Sequence, residues 1–208
     1  MSYFDYLSIF GDQIIHLTIQ HIWLFAAALA GATVLGVIFG ILVFRVGAFS
    51  FIVPVINLLQ ATPEIVLLAI SIPLLGIGYT GALVPLFIKG VLPIMRNTIS
   101  GLQTVDPGVK EAARGIGMSD HQILFRIELV AALPVIIAGL RVSAIMLVSV
   151  ITLTAYIGVE SLGSLILQGV SRLDPNALLT GSGLAALLAV LVNQALVHTE
   201  RVTSRIVA

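Results

Sequence analysis

The stretch Asp106–Pro134 reads DPGVKEAARGIGMSDHQILFRIELVAALP, and it is the longest polar interruption in an otherwise apolar chain. Asp106 is a typical N-cap residue, and Pro107 suits the first helical position because a missing N–H costs nothing there. Gly117 fits the left-handed position that ends a helix. The stretch therefore predicts a short, well-capped helix that begins after Asp106.

This predicted helix is amphipathic, with its apolar residues at helical spacing. They form one stripe, which consists of Val109, Ala112, Ala113 and Ile116. Lys110, Glu111 and Arg114 lie off the stripe. Ser119 and Gln122 have capping-box spacing, so a second short helix is predicted to follow at once. A short amphipathic helix between membrane spans is suited to being bound by another protein.

The composition places the chain in a membrane. Of 208 residues, 59% are hydrophobic and 10% are charged, and the mean hydropathy is +1.14. These values are typical of a polytopic membrane protein. The formal net charge is zero, so no nucleic-acid partner is expected. Cysteine is absent, which excludes disulfides, thiolate metal sites and cysteine nucleophiles.

No metal site or cofactor is expected in this chain. The four histidines are scattered, and His16 and His21 are too far around a helix to face one ion. Enzyme chemistry is also disfavoured. The sequence has no P-loop for ATP, and Ser182 and His198 lie about 24 Å apart along one predicted helix, too far for a catalytic pair.

The fold class is an all-α polytopic membrane protein with five predicted spans in one domain, 1–208. The spans cover approximately 22–44, 51–75, 82–102, 134–157 and 177–197. Residues 1–21 are predicted to form an amphipathic lead, and Trp23 marks the entry to the first span. Gly36 and Gly40 form a GxxxG pair that permits close helix contact, although small residues are also common in membrane helices.

The basic residues predict the orientation. One set falls on the same predicted side of the membrane: Arg45, Lys110, Arg114, Arg126, Arg201 and Arg205. Only Arg172 falls in a loop on the other side. The N-terminus and the lead are therefore expected outside and the C-terminus inside, with segment 103–130 in the cytoplasm and the polar segment 158–175 external.

Glu64 is the most unusual residue of the predicted spans, because a membrane-embedded carboxylate is costly unless it faces protein or water. Gln60, Thr62 and Pro63 precede it and predict a break in the helix, which is tolerated where the backbone lines a cavity. Two interpretations stay open. The group either lines the translocation pathway or forms a hydrogen-bond cluster between helices.

Further polar residues lie in the third and fourth spans. Arg96 and Asn97 are predicted near the cytoplasmic end, where Arg96 either forms a structural ion pair, snorkels, or contacts solute. Thr152, Thr154 and Tyr156 either line the pathway or satisfy their hydrogen bonds locally. A channel or proton-coupled carrier that uses Glu64 and Lys89 is the alternative function.

The sequence EAARGIG (111–117) resembles the cytoplasmic "EAA" signature of the permease subunits of ABC importers, with Ile127 ten residues after Gly117 as that signature expects. The proline usual three residues after this isoleucine is Val130 here. Four other stretches are similar to the osmoprotectant branch, whose solutes are glycine betaine, carnitine, choline and related quaternary amines. They are IPLLGIG (72–78), LPIMRNT (92–98), ALPVIIAGLR (132–141) and YIGVESLG (156–163).

Two carboxylates depart from the pattern of that branch. QATPE (60–64) is similar to its QT[IL]PS motif but ends in Glu64, and Glu160 replaces a glycine in the external motif. Both add negative charge on or near the implied solute pathway, which would either favour cations or mark a permease of altered activity.

The resemblance implies the partners. The helix with Val109, Glu111, Ala112, Ala113, Ile116 and Gly117 would dock into a separate ATP-binding subunit, present in two copies, which binds ATP and Mg²⁺. A second permease chain, identical or a sister, would complete a central path. An extracellular solute-binding protein would deliver solute to the outer face, near Glu160, Leu162 and Gly163. The location implied is the inner membrane of a bacterium.

Overall fold

A computed structural model describes residues 2–207, which are almost entirely helical and contain no strand in that range. The α-helices are α1 (Tyr3–Arg45), α2 (Ile52–Ala61), α3 (Glu64–Leu75), α4 (Tyr79–Gln103), α5 (Pro107–Gly115), α6 (Asp120–Ile123), α7 (Leu129–Thr152), α8 (Leu162–Arg172) and α9 (Pro175–Val207). Two 3₁₀ turns (Gly47–Phe51 and Leu153–Ile157) and one π turn (Leu124–Glu128) join some of them. The all-α prediction is confirmed.

The predicted lead and the first span form one continuous helix of 43 residues. At about 1.5 Å per residue, α1 is roughly 65 Å long and exceeds the hydrocarbon thickness of a bilayer. Its N-terminal part packs into a core cluster with α8 and α9 that includes Tyr6, Leu17, Leu165 and Ala177. The described part of the predicted lead is therefore continuous with the first span.

Small residues bring α1 and α4 into close contact. A Cβ added to Gly36 would lie 2.8 Å from the Ile94 side chain, and one added to Gly40 would lie 2.6 Å from that of Thr98. The GxxxG pair therefore makes a close helix contact, as the spacing permits. Residue numbers rise together along this contact, so α1 and α4 run parallel.

The remaining long helices alternate in direction. Gly101 of α4 lies against Ala132 of α7, and Gly90 lies against Ser143, so α4 and α7 are antiparallel. Arg141 of α7 lies 3.3 Å from Glu200 of α9, and Pro134 of α7 lines a cavity with Ser204 of α9. Helices α7 and α9 are thus also antiparallel, and the two ends of the chain lie at opposite ends of the bundle.

The parallel arrangement of α1 and α4 requires the chain between them to return across the bundle. Helices α2 and α3 make this return, but they are bent by 104° at the break that follows Ala61. Among residues 2–207, four helices are long and apolar enough to span a membrane, and the number is five if the bent pair counts as one span. Span two is therefore broken more sharply than the predicted segment 51–75 implies, and the inside–outside assignment stays a prediction.

The fourth span begins earlier than predicted. The helix that starts at Asp120 passes through the π turn directly into α7, and Pro134 lies inside it rather than at its start. The predicted second short helix is wrong as a separate element. A proline inside a membrane helix is tolerated because neighbouring groups and local π geometry take up the freed backbone bonds.

The polar segment 158–175 contains a helix that we did not predict. Ser161 caps α8 by accepting a hydrogen bond from the Gly163 N–H at 3.2 Å. Leu162, Leu165 and Gly169 are buried against the bundle. Their i, i+3, i+7 spacing after a serine is a helix signal, but the glycine and serine content of the segment masked it.

We expect Gly163→Ala to destabilise the bundle, because an added methyl group would overlap the carbonyl group of Thr152. Overpacking of this kind typically costs about 1–3 kcal/mol. Gly183→Ala is the matched control, since no atom lies within 4 Å of its added Cβ. A thermal unfolding assay in detergent should show a lower Tm for Gly163→Ala only; equal Tm values would contradict this packing.

Candidate functional site

Helix α5 is fixed at both ends by its own sequence. The Asp106 Oδ1 atom accepts a hydrogen bond from the Gly108 N–H at 2.7 Å. At the other end Gly117 has φ +86°, and the N–H of Met118 donates to the Ala113 carbonyl at 3.1 Å. This is the Schellman motif that glycine favours. The predicted caps of the first helix are confirmed.

A second cap follows within two residues and turns the chain into the fourth span. The Ser119 N–H donates to Gln122 Oε1 at 2.8 Å, and the Gln122 N–H donates to Ser119 Oγ at 3.3 Å. The capping box predicted from the sequence is therefore present. Because both caps are formed, α5 leaves the bundle through a short, defined corner.

The apolar stripe of α5 is mostly unpartnered. Ala113 is buried, but Val109 is 48% exposed and Ile116 is 81% exposed. Ala112 and Glu111 are also exposed. An apolar face left open on a short helix marks an interaction surface. We call the exposed residues Val109, Glu111, Ala112 and Ile116 the coupling face.

A buried carboxylate attaches α5 to the bundle. Glu128, in the π turn, accepts a hydrogen bond from the guanidinium of Arg45, the last residue of α1. Its other oxygen, Oε1, lies 3.1 Å from the ammonium of Lys110 on α5. The Lys110 ammonium also lies 5.4 Å from the centroid of the Phe44 ring. Sequence analysis missed this cluster because its members are far apart in the chain.

Lys89 of α4 binds groups on both sides of the break in the second span. Its ammonium donates to the carbonyls of Gln60 at 2.8 Å and Thr62 at 2.6 Å. It also lies 3.3 Å from the carboxylate of Glu64. The Gln60 amide donates back to the Lys89 carbonyl. Lys89 thus binds the carbonyls freed by the break and the carboxylate at the start of α3. Pro63, which lies between Thr62 and Glu64 in the chain, is exposed.

The predicted polar residues of α4 form hydrogen bonds within the protein. Arg96 donates to the side-chain carbonyl of Asn57 on α2 at 2.7 Å, so its partner is an amide rather than the carboxylate of an ion pair. The Asn97 amide donates to the Pro93 carbonyl at 2.8 Å. Arg96 is exposed and Asn97 is half-buried, and both lie on the same helix as Lys89.

The three polar residues at the end of the fourth span have different surroundings. Helix α7 ends at Thr152, and the next residues form a 3₁₀ turn. Thr154 is fully buried and donates to the Ile151 carbonyl at 2.7 Å. Thr152 donates to the Ser149 carbonyl, whereas Tyr156 is exposed. The Thr154 hydroxyl therefore has its hydrogen-bond partner within the core, and Tyr156 is the exposed residue of the three.

The end of the bundle that carries the N-terminus presents Glu160. Its carboxylate lies 2.9 Å from His16 Nε2 of α1, with both side chains exposed. Nearby, the Tyr79 hydroxyl donates to the Gln20 side chain at 2.8 Å. Leu162 and Gly163 are buried, so of the three residues predicted on the binding-protein side only Glu160 offers a side chain to a partner.

Among the described residues, no three histidine or acidic side chains come together as metal ligands. The polar groups instead form three separated sites. The coupling face and the Arg45 cluster lie at one end of the bundle, the break lies within it, and Glu160 lies at the other end. The bundle thus combines a broken span inside it with an open apolar helix at one end.

The comparisons with known proteins identify the family. Residues 9–198 match the family described as binding-protein-dependent transport system inner membrane component. The chain is 35% identical over 191 residues to the carnitine transport permease protein OpuCB of Listeria monocytogenes, covering 91% of this chain and 88% of that protein. It is 39% identical over 185 residues to the osmoprotectant import permease protein OsmW of Salmonella typhimurium, covering 85% of each. The chain belongs to this family of inner-membrane transport components, which confirms the resemblance found in the sequence.

Solved structures share the fold. The MetNI methionine ABC transporter in an inward-facing conformation matches with a TM-score of 0.82 and 21% identity, over 91% of this chain and 95% of that chain. An amino acid ABC transporter with histidines matches with a TM-score of 0.78 and 19% identity, over 97% and 98%. The chain therefore shares its overall fold with these transporter chains.

Proposed function

We propose that the chain is the permease subunit of an ATP-driven importer in the inner membrane of a bacterium, driven by a separate ATP-binding subunit in two copies that carries ATP and Mg²⁺. The single observation that supports this most is α5, a doubly capped helix whose coupling face is open at the basic end of the bundle. An ATP-binding subunit that binds this face would move α5, and through it the rest of the permease. Two permease chains would then alternate between inward- and outward-facing states.

The solute class is the quaternary amines. The relatives are named for carnitine and osmoprotectant transport, and another, OpuBB of Bacillus subtilis, for choline. The chain has carboxylates at the break, Glu64, and at the end of the bundle that carries the N-terminus, Glu160, as suits a solute with a fixed positive charge. An external binding protein would deliver the solute at the end that carries Glu160.

The translocation path would follow the broken span. Its candidate lining residues are those with accessible polar groups or backbone: Gln60, Thr62, Pro63, Glu64, Arg96, Asn97, Thr152 and Tyr156. Lys89 and Thr154 are excluded from this set because both are buried. The second permease chain would form the other wall of the path.

The carrier alternative, with Glu64 and Lys89 as a proton relay, is less well supported. The Lys89 ammonium already binds two backbone carbonyls and one carboxylate. The pair therefore fits a structural role at the break better than a relay.

Reconstitution tests the two functions directly. The full complex is placed in liposomes with its binding protein, and uptake of labelled choline, carnitine and glycine betaine is measured with and without ATP inside. We expect uptake of at least one of them to require ATP. Uptake by the chain without an ATP-binding subunit, driven by a proton gradient and lost in Glu64→Gln, would instead establish the carrier.

A further inference from the structure

We propose that Glu128 is a positioning residue for coupling: its buried carboxylate holds Lys110 of α5 and Arg45 of α1 together, so that a displacement of α5 is passed to α1 and the broken span. The inference rests on the proposed function, since it concerns how the coupling face is linked to the bundle. No motif of the sequence indicates it.

The geometry makes Glu128 the shared partner of two otherwise separate elements. Its side chain is 3% exposed, and its two oxygens face different cations. Lys110 is the member contributed by α5, and only 17% of its side chain is exposed although its helix lies at the surface. A buried carboxylate with two cationic partners is strongly held, because losing either partner weakens its compensation.

The other attachment of α5 is slight by comparison. Ala113 is the buried residue of this helix, and its side chain is a single methyl group. The pair formed by Arg114 and Asp120 is exposed on both sides, with 3.6 Å between the charged atoms. Exposed pairs contribute little. The bond between Lys110 and Glu128 is therefore the main polar attachment of α5 to the bundle.

Arg45, the second cation, links the attachment of α5 to the start of the broken span. Arg45 ends α1, and the chain then runs through the turn Gly47–Phe51 into α2, whose far end is the break held by Lys89. A force on α5 thus reaches the start of the broken span through one carboxylate. Glu128 is the last residue of the π turn, and such turns recur at functional positions.

Lys110→Met is the sharpest test, because Glu128 keeps Arg45 as a partner and the bundle should still fold. The first measurement is hydrogen exchange of the backbone amides of residues 107–118, in the full chain in lipid nanodiscs. We expect the exchange rate to rise about tenfold or more, because that factor corresponds to the free energy of a hydrogen bond to a charged group. Arg114→Met removes a cation from the same helix and should change exchange by less than about threefold.

The second measurement is the number of solute molecules imported per ATP hydrolysed by the full complex. We expect Lys110→Met to lower this ratio by about 3- to 30-fold, while the ATP-binding subunit still co-purifies. Lys110→Arg should restore both the exchange rate and the ratio, and Glu128→Gln should reproduce the defect. A merely structural role would lower the yield of folded protein and leave this ratio unchanged.

The outcomes separate this inference from the proposed function. Two results would overturn the role of Glu128 alone. One is unchanged exchange in Lys110→Met. The other is an unchanged import ratio in the Lys110→Met complex when the wild-type complex couples normally. If the wild-type chain retains no ATP-binding subunit, the proposed function fails on the wild type itself. The exchange measurement still decides in that case whether Glu128 holds α5.

Discussion

Ile116→Lys should abolish ATP-driven uptake while leaving the permease folded in the membrane. Ile116 is 81% exposed and lies at the C-cap of α5, within what we propose as the contact with the ATP-binding subunit. Loss of a main anchor residue of an interface typically costs about 2 kcal/mol or more, which is about a 30-fold weaker complex. A lysine at a helix C-terminus is favourable for the helix itself, so α5 should stay formed.

The matched control is Leu173→Lys. Leu173 is also an apolar C-cap residue, of α8, and it is 88% exposed, but it lies at the opposite end of the bundle. Co-purification of the ATP-binding subunit with each variant is the measurement. The proposed contact requires loss of that subunit in Ile116→Lys and retention in Leu173→Lys. Equal retention in both would show that α5 is not the docking element.

Lys89→Met should give the largest loss of stability of any single substitution discussed. It would leave the carbonyls of Gln60 and Thr62 without their side-chain donor and Glu64 without its partner, all inside a membrane span. Each buried carbonyl left without its donor typically costs about 1–3 kcal/mol, whereas the Glu64 carboxylate is 37% exposed, so the loss of its ion pair adds less. We expect little folded protein, measured as the monodisperse fraction in detergent.

Arg96→Met provides the comparison for Lys89→Met. Arg96 lies seven residues further along α4, also faces α2 and also loses a cation, but it is exposed and binds a single amide of Asn57. Its loss should change stability by roughly 0.5 kcal/mol or less. The double substitution Glu64→Gln with Lys89→Met should recover part of the loss. Normal folding of Lys89→Met would mean that the break is held by other contacts.

Local sequence signals were sufficient where neighbouring residues determine the structure. Asp106, Gly117 and the pair Ser119–Gln122 all cap as predicted, because each cap involves residues only a few positions apart. The course of α1 was not predictable in this way. Trp23 suggested a membrane interface, but the helix continues on its N-terminal side because Tyr6 packs against α8 and α9.

The candidate site shows the same division. The sequence located the break at Thr62–Pro63 and the coupling face on α5. It gave no indication that Glu128 joins Arg45 and Lys110, because such pairing depends on the packing of three elements. It also placed Leu162 and Gly163 on an outer surface, since a stretch rich in glycine and serine suggests a loop. Only the packed bundle shows that Leu162 is a core residue.

The bridge from Lys89 to the break has a consequence for how the protein is made. Synthesis proceeds from the N-terminus, so the second span leaves the ribosome before α4 exists. Until then the carboxylate of Glu64 and the carbonyls of Gln60 and Thr62 lack the ammonium that binds them in the finished bundle. An unpaired carboxylate enters a bilayer poorly. We therefore expect the second span to reach its bent form only when the third span lies beside it.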